Sequence, residues 1–231
     1  MTIGIMGISM IFMLLGMMVQ FRLKSKFATY RKVATSSGLN GKEVAEKMLR
    51  DNGIYDAQVT SVPGVLSDHY DPTKKTVNLS EEVYEGTNVS AAAVAAHECG
   101  HAVQHASAYS MLTLRSRLVP ITQISTNLSQ WVILAGLGVM GFGGGSQTVL
   151  LIGIILFVVS TLFSLVTLPV EFDASARALK WLDNANITTA AEYANAKDAL
   201  KWAALTYVIA ALSSIAMFVY YIMIYTSRSR D

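Results

Sequence analysis

The chain is short of several things. It has one cysteine, Cys99, four prolines and four histidines in 231 residues. A lone cysteine excludes an internal disulfide framework and fits a reducing compartment. Charge is also scarce: 15% of the residues are charged, against about 25% in an average soluble domain. The net charge of +2 is too small to argue for a polyanionic partner. No basic stripe interleaved with aromatics is present, which sets nucleic-acid binding aside. Apolar residues fill the space, at 52% of the chain with a mean hydropathy of +0.41. Averages of that kind belong to a chain that lives partly in lipid.

The charge-free runs say where. Residues 1–21, "MTIGIMGISMIFMLLGMMVQF", contain no charged side chain, and about 20 apolar residues suffice to cross a bilayer. A basic start and a small-residue cleavage site are both missing, so the segment reads as a retained anchor, not a cleaved leader. A second charge-free run extends from Leu118 to Val170. It is too long for one crossing, and "GFGGGSQT" at 141–148 breaks it. Two hairpin helices are expected, roughly 122–141 and 148–168, the first with a polar half, "ITQISTNLSQ". Trp202 to Ser227 supplies one more span. The predicted architecture is a mainly α-helical integral membrane protein of about four transmembrane helices, carrying a small α+β aqueous domain. The expected segments are 1–21 (anchor), 22–117 (first aqueous domain), 118–170 (hairpin), 171–201 (aqueous helices) and 202–227 (last span).

After the first span comes "RLKSKFATYRK", five basic residues and no acid. The positive-inside rule puts it in the cytoplasm and the N-terminus outside the bacterial cytoplasmic membrane. The hairpin returns the chain, so both aqueous blocks share the cytoplasmic side. The terminal "SRSRD", with two arginines, runs against this orientation but is the smaller cluster. Within the first block, "NGKEVAEKMLRDNG" at 40–53 predicts a helix closed by Gly53, with Val44, Ala45, Met48 and Leu49 as its apolar face. "AQVTSV" and "KTVNLS" predict short strands, and "DHYDPTKK" between them a turn. Ser90 is the expected cap of a helix from Ala91 to about His105. The segment 171–182 reads helical, and "TTAAEYANAKDALKW" reads as running unbroken into the last span.

Three of the four histidines fall in "AAHECGHAVQHA", residues 95–106. "HECGH" is H-E-x-x-H on a predicted helix. His97 and His101 then lie one turn apart on one face, where two imidazoles can converge on one ion. Glu98 sits about 100° around the helix, close enough to reach a metal-bound water and poorly placed to ligate. Two ligands and a general base on one turn is the metalloprotease arrangement. The flanks "AAAVAA" and "AV" bury this helix, and a buried His or Glu needs partners. Cys99 reads as a packing residue.

A catalytic zinc needs a third protein ligand and an open position. The metzincin position, six residues after the second histidine, is Ser107 and cannot serve. His105 stands about 6 Å beyond His101 by helix rise, too far to share the ion, and reads as a helix-end residue. "LPVEFDASARAL" at 168–179 holds the candidates. Glu171 is the first charge after the hairpin returns, where a carboxylate is costly unless paired or metal-bound. Asp173 is the rival ligand, or a carboxylate orienting an imidazole.

On "DHYDP" (68–72), "LS" (79–80), "VAAHECGHAVQH" (94–105) and "LPVEFDASARAL" (168–179), the chain resembles the YugP-type neutral zinc metallopeptidases of bacterial membranes, related in pattern to the HtpX group of gluzincins. The resemblance covers nearly the whole chain. It implies that 22–117 is a zincin-like catalytic domain with one catalytic zinc, with His97, His101 and Glu171 as ligands and Glu98 as base. The HtpX group reads E-F-x-A-D, and this chain has Ser175 where the aspartate would stand. The partner of the histidines is therefore open between Asp173 and Ser175.

The function expected is hydrolysis of peptide bonds in membrane-associated or misfolded proteins, by a zinc-activated water with Glu98 as base. Its partners are protein or peptide substrates and the bilayer. A non-catalytic membrane scaffold with a structural zinc is the alternative, though structural sites are usually closed by cysteine and no second cysteine exists. Metal transport would want ionisable residues within the spans, and the runs have none. Candidate oxyanion donors are His69, Tyr70, Tyr84 and Arg177. "KTVNLS" is a candidate edge on which a substrate adds as a strand.

Overall fold

The computed structural model describes residues 2–139 and 145–228. The elements run α1 (Thr2–Tyr30), α2 (Gly41–Asp51), β1 (Gln58–Val62), β2 (His69–Asp71), β3 (Thr76–Ser80), α3 (Glu81–Tyr84), α4 (Val89–Ala106), α5 (Ser110–Leu137), α6 (Gln147–Asn184) and α7 (Ala190–Arg228). The protein is mainly helical with one small mixed sheet. It divides into two compact units, one of Met1–Met18, Thr113–Leu168 and Thr206–Asp231, the other of Val19–Leu112 and Pro169–Leu205.

The second unit holds the sheet, α2–α4, and the stretches of α1, α6 and α7 that fall within Val19–Leu112 and Pro169–Leu205. Asn40 and Glu43 close a capping box at the start of α2: the Asn40 side chain accepts from the Glu43 N–H, and the Glu43 carboxylate accepts from the Asn40 N–H. This satisfies two donors that a helix start leaves open. The expected apolar face of α2, Val44, Ala45, Met48 and Leu49, is buried. Along α1, Val19, Leu23, Phe27 and Tyr30 are buried at helical spacing. Leu23, Phe27 and Tyr30 share one core with Leu79, Ala92, Ala95, Ala96, Leu182 and Ala199.

Four local expectations change. Helix α4 is capped by Asn88, not Ser90. The Asn88 Oδ1 accepts from the Ala91 N–H at 3.0 Å, an acceptor geometry that lets the helix begin two residues earlier, at Val89, and draws Ser90 inside it. "DHYDPTKK" contains a strand, β2, before its turn. The Asp71 carboxylate accepts from the Thr73 and Lys74 N–H groups, which confines the turn to the residues after it. "KTVNLS" becomes β3, the central strand. The sheet order is β1-β3-β2, with β1 parallel and β2 antiparallel to β3. Both edges of β3 are taken, so a substrate cannot add to it. Finally, the expected hairpin helix 148–168 and the helical segment 171–182 are one element, α6, which continues through Pro169.

The first unit is built on α5 and the apolar stretches of α1, α6 and α7. Ile133, Leu137, Leu150, Ile154 and Ile224 form its core. Gly136 permits the close approach of α5 and α6, since a Cβ there would lie 2.4 Å from the Leu150 nitrogen. The Arg228 guanidinium donates to the Gly136 and Leu137 carbonyls, groups that the end of α5 leaves without helical partners. The expected hairpin helix 122–141 is part of a longer element that begins at Ser110. Its expected end, and the first half of "GFGGGSQT", lie outside the described residues.

Three helices are long and apolar enough to cross a membrane: Gly4–Tyr30, Gln147–Asn184 and Ala190–Arg228. Helix α5 has the length, but Gln123, Thr126, Asn127, Ser129 and Gln130 make it too polar to join them. Two of these side chains have partners: the Thr126 hydroxyl lies 2.7 Å from that of Ser160 on α6, and Ser129 donates to the Thr126 carbonyl.

Candidate metal centre

Every residue of the centre lies in the second unit. Helix α4 presents His97, Glu98 and His101, and α6 presents Glu171, Asp173 and Ser175 just after Pro169. The two helices touch where Gly100 faces Ala174. A Cβ on Gly100 would fall 2.5 Å from the Ala174 carbonyl oxygen, so only glycine allows the backbones this close. That contact carries the donors of both helices to one point.

The His97 Nε2 lies 3.4 Å from the Glu171 Oε2, and the His101 Nε2 3.6 Å from the same oxygen. The two imidazoles stand edge to face, with ring centroids 4.9 Å apart. Donors at zinc–ligand distances around a tetrahedral ion sit about 3.3 Å from one another. Spacings of 3.4 and 3.6 Å therefore fit a shared zinc, and three donors leave a fourth position. Among the described residues, His97, His101 and Glu171 form the one such group able to hold a metal ion. Asp173, the rival ligand, is outside it.

Each imidazole is held from behind. The Ser175 hydroxyl lies 3.1 Å from the His97 Nδ1. The His101 Nδ1 lies 3.0 Å from the Gln104 Oε1, and the Gln104 amide donates to the Asp173 carboxylate at 2.8 Å. Both open alternatives are thus in use, Ser175 directly on one histidine and Asp173 through Gln104 on the other. Asp173 in turn accepts from the Arg177 Nε at 2.6 Å, and that guanidinium lies over the Tyr109 ring. Burial works against a charged His101, but Glu171 and Glu98 more than offset it and hold its pKa above the ordinary imidazole value. A cation held by His97, His101 and Glu171 would take the place of that proton.

Glu98 is buried on the same turn, outside the three-atom cluster. Cys99 points the other way. It is fully buried, its Sγ 3.5 Å from the Ala45 carbonyl on α2, and burial pushes its thiol pKa up. It is a packing residue. Of the oxyanion candidates, Tyr84 lies beneath the Lys42 ammonium and Arg177 serves Asp173. His69 bonds the Ser67 carbonyl through Nδ1 and meets the Asn78 amide at Nε2. The Tyr70 hydroxyl lies 3.0 Å from the Nδ1 of His105, one turn past His101 on α4.

The sequence profile of the family described as "Putative neutral zinc metallopeptidase" matches residues 5–226. The chain belongs to that family. A relative from Bacillus subtilis (strain 168), described as "Putative membrane protease YugP", is 42% identical over 206 residues, which cover 89% of each chain. No solved structure matches the chain. Membership in this zinc metallopeptidase family and the buried His-His-Glu cluster agree on a zinc-dependent membrane protease.

One residue of the centre, Gln104, escapes a reading for metal motifs. Its signal was present: a polar residue three positions after His101, on the buried side of a helix otherwise lined with alanine and valine.

Proposed function

We propose that the protein is a membrane-embedded zinc endopeptidase in which His97, His101 and Glu171 ligate the metal and Glu98 is the general base. The observation that carries this reading is the meeting of three donor atoms from α4 and α6, all within 4.8 Å, beside a buried glutamate on the same turn. A zinc ion held there supplies a Lewis acid for the scissile carbonyl and lowers the pKa of the attacking water. Glu98 accepts one proton from that water as its oxygen bonds to the carbonyl carbon. It then delivers the proton to the amine as the C–N bond breaks. Tyr70 is the oxyanion donor: its hydroxyl is joined to α4 on the face that carries Glu98, and burial pushes the phenol pKa up, which keeps it a donor.

The scaffold alternative is distinguished from this reading by Glu98→Gln. Turnover should fall about 10²- to 10⁴-fold with the zinc retained. Cleavage at the parental rate would remove Glu98 from the mechanism and favour a structural metal.

The substrates are membrane-associated or misfolded chains. Glu171 follows the apolar run of α6 by a single proline–valine step, which supports a site at the depth of the bilayer surface. The relative's description as a membrane protease agrees with this. The active site faces the cytoplasm and the N-terminus lies outside, because Arg22, Lys24, Lys26, Arg31 and Lys32 follow the first span. Parity supplies a fourth crossing. The ligands flank residues 110–168 in sequence and share one ion, so that stretch crosses an even number of times; α6 is one crossing and α5 the other. The C-terminus is then outside. An epitope tag placed after Asp231 should be digested by protease added to intact spheroplasts, and protection of that tag would reverse the topology.

A further inference from the structure

The amide of Gln104 has a direction that its surroundings dictate. The side chain is fully buried, at 0% exposure. Its Nε2 donates to the Val170 carbonyl at 2.7 Å and to the Asp173 Oδ2 at 2.8 Å. A backbone carbonyl only accepts, and Asp173 is already an acceptor for Arg177. Turning the amide over would set its oxygen against both acceptors. The Oε1 must therefore face the His101 Nδ1, 3.0 Å away, and an acceptor in that position requires the proton on Nδ1. The lone pair is left on Nε2, the nitrogen that lies 3.6 Å from the Glu171 carboxylate. The same amide, through the Val170 carbonyl, grips the residue immediately before Glu171.

We propose that Gln104 is a positioning residue that fixes the metal-binding tautomer of His101 and, by holding the Val170 carbonyl, keeps Glu171 in register with it. This rests on the reading of His97, His101 and Glu171 as a metal site, and it adds what orients two of the three ligands. One side chain thereby couples donors from two helices that are 70 positions apart in sequence. Replacing such a supporting group lowers metal affinity or activity by about 10- to 100-fold in known zinc sites.

The full chain in detergent allows a test that does not depend on turnover. With four histidines in the sequence, selective ¹⁵N-histidine labelling gives a spectrum simple enough to assign by substituting each in turn. In metal-free protein, at a pH where the imidazoles are neutral, His101 should carry its proton on Nδ1. In Gln104→Leu, close in size and without polar atoms, that preference should be lost. Zinc should also leave Gln104→Leu for a chelator about 10- to 100-fold faster than it leaves the parent. Asp173→Asn keeps an acceptor oxygen for the Gln104 amide and should retain the Nδ1 tautomer, which separates positioning from general loosening of the helix pair. If Gln104→Leu does not fold, Gln104→Glu tests the grip on Val170 by itself: its carboxylate still accepts from the His101 Nδ1, so the tautomer should hold, but it cannot donate to the Val170 carbonyl or Asp173, so zinc should leave faster. An unchanged His101 tautomer together with parental zinc release would overturn the proposal. A parent chain that binds no zinc would instead overturn the metal site, and the tautomer measurement would still decide the role of Gln104.

Discussion

The two compact units bury opposite things. The unit that holds the metal centre encloses Glu98, His101, Gln104 and Glu171 within alanines, valines and leucines. The other turns Met10, Ile11, Met13, Leu14, Ile152, Ile155, Leu162 and Val219 outward. An apolar side chain facing out is costly in water and favourable in lipid, and a polar group facing in is costly unless each donor and acceptor is matched. The contrast shows which solvent each unit was selected for. It also shows that polar burial in the metal-binding unit depends on a connected set of partners: Ser175 for His97, Gln104 for His101, Asp173 for Gln104 and Arg177 for Asp173.

Substitutions of equal chemistry in the two units should behave differently. Leu182 is fully buried in the metal-binding unit, and Leu182→Ala should cost about 2–5 kcal/mol, seen as a large drop in Tm in detergent. Tyr70→Phe removes one hydroxyl beside α4. It should lower kcat by about 10- to 100-fold, or about 1.4–2.8 kcal/mol, with KM and zinc content unchanged; a rise in KM alone would make Tyr70 a binding residue. Ile155 faces outward from the other unit. Ile155→Ala should change stability by under about 1 kcal/mol, whereas Ile155→Lys should lose about 3 kcal/mol or more of membrane insertion. A cost for Ile155→Ala as large as that for Leu182→Ala would mean that its face is covered by protein.

Much of this contrast was legible in the sequence. Charge-free runs mark α1, α6 and α7 because lipid selects composition, and composition survives without knowledge of contacts. H-E-x-x-H is legible because helix geometry alone brings i and i+4 together. Glu171 stood out as a carboxylate at the end of an apolar run. The rest needed three dimensions. Strand β2 is three residues long, His-Tyr-Asp, and owes its existence to pairing with β3, not to any local alternation. That β3 is central depends on strand order, which a sequence of short strands leaves open. Ser90 and Asn88 are both good caps, and only the Asn88–Ala91 bond decides between them. Gln104 lies inside the quoted stretch 94–105 but is no metal-ligand type, and its meaning comes from the helix it faces. The pairing of α5 with α6 is of the same kind: hydropathy counts Thr126 as polar, and only the fold shows that its hydroxyl has Ser160 as a partner.

The central claim is that one ion is held jointly from α4 and α6. The most direct test is the zinc content of purified Glu171→Ala, measured beside the parent and His101→Ala. The account predicts about one zinc per parent chain and a comparable loss in both variants, although Glu171 lies far from the H-E-x-x-H segment in sequence. Stoichiometric zinc in folded Glu171→Ala would contradict it.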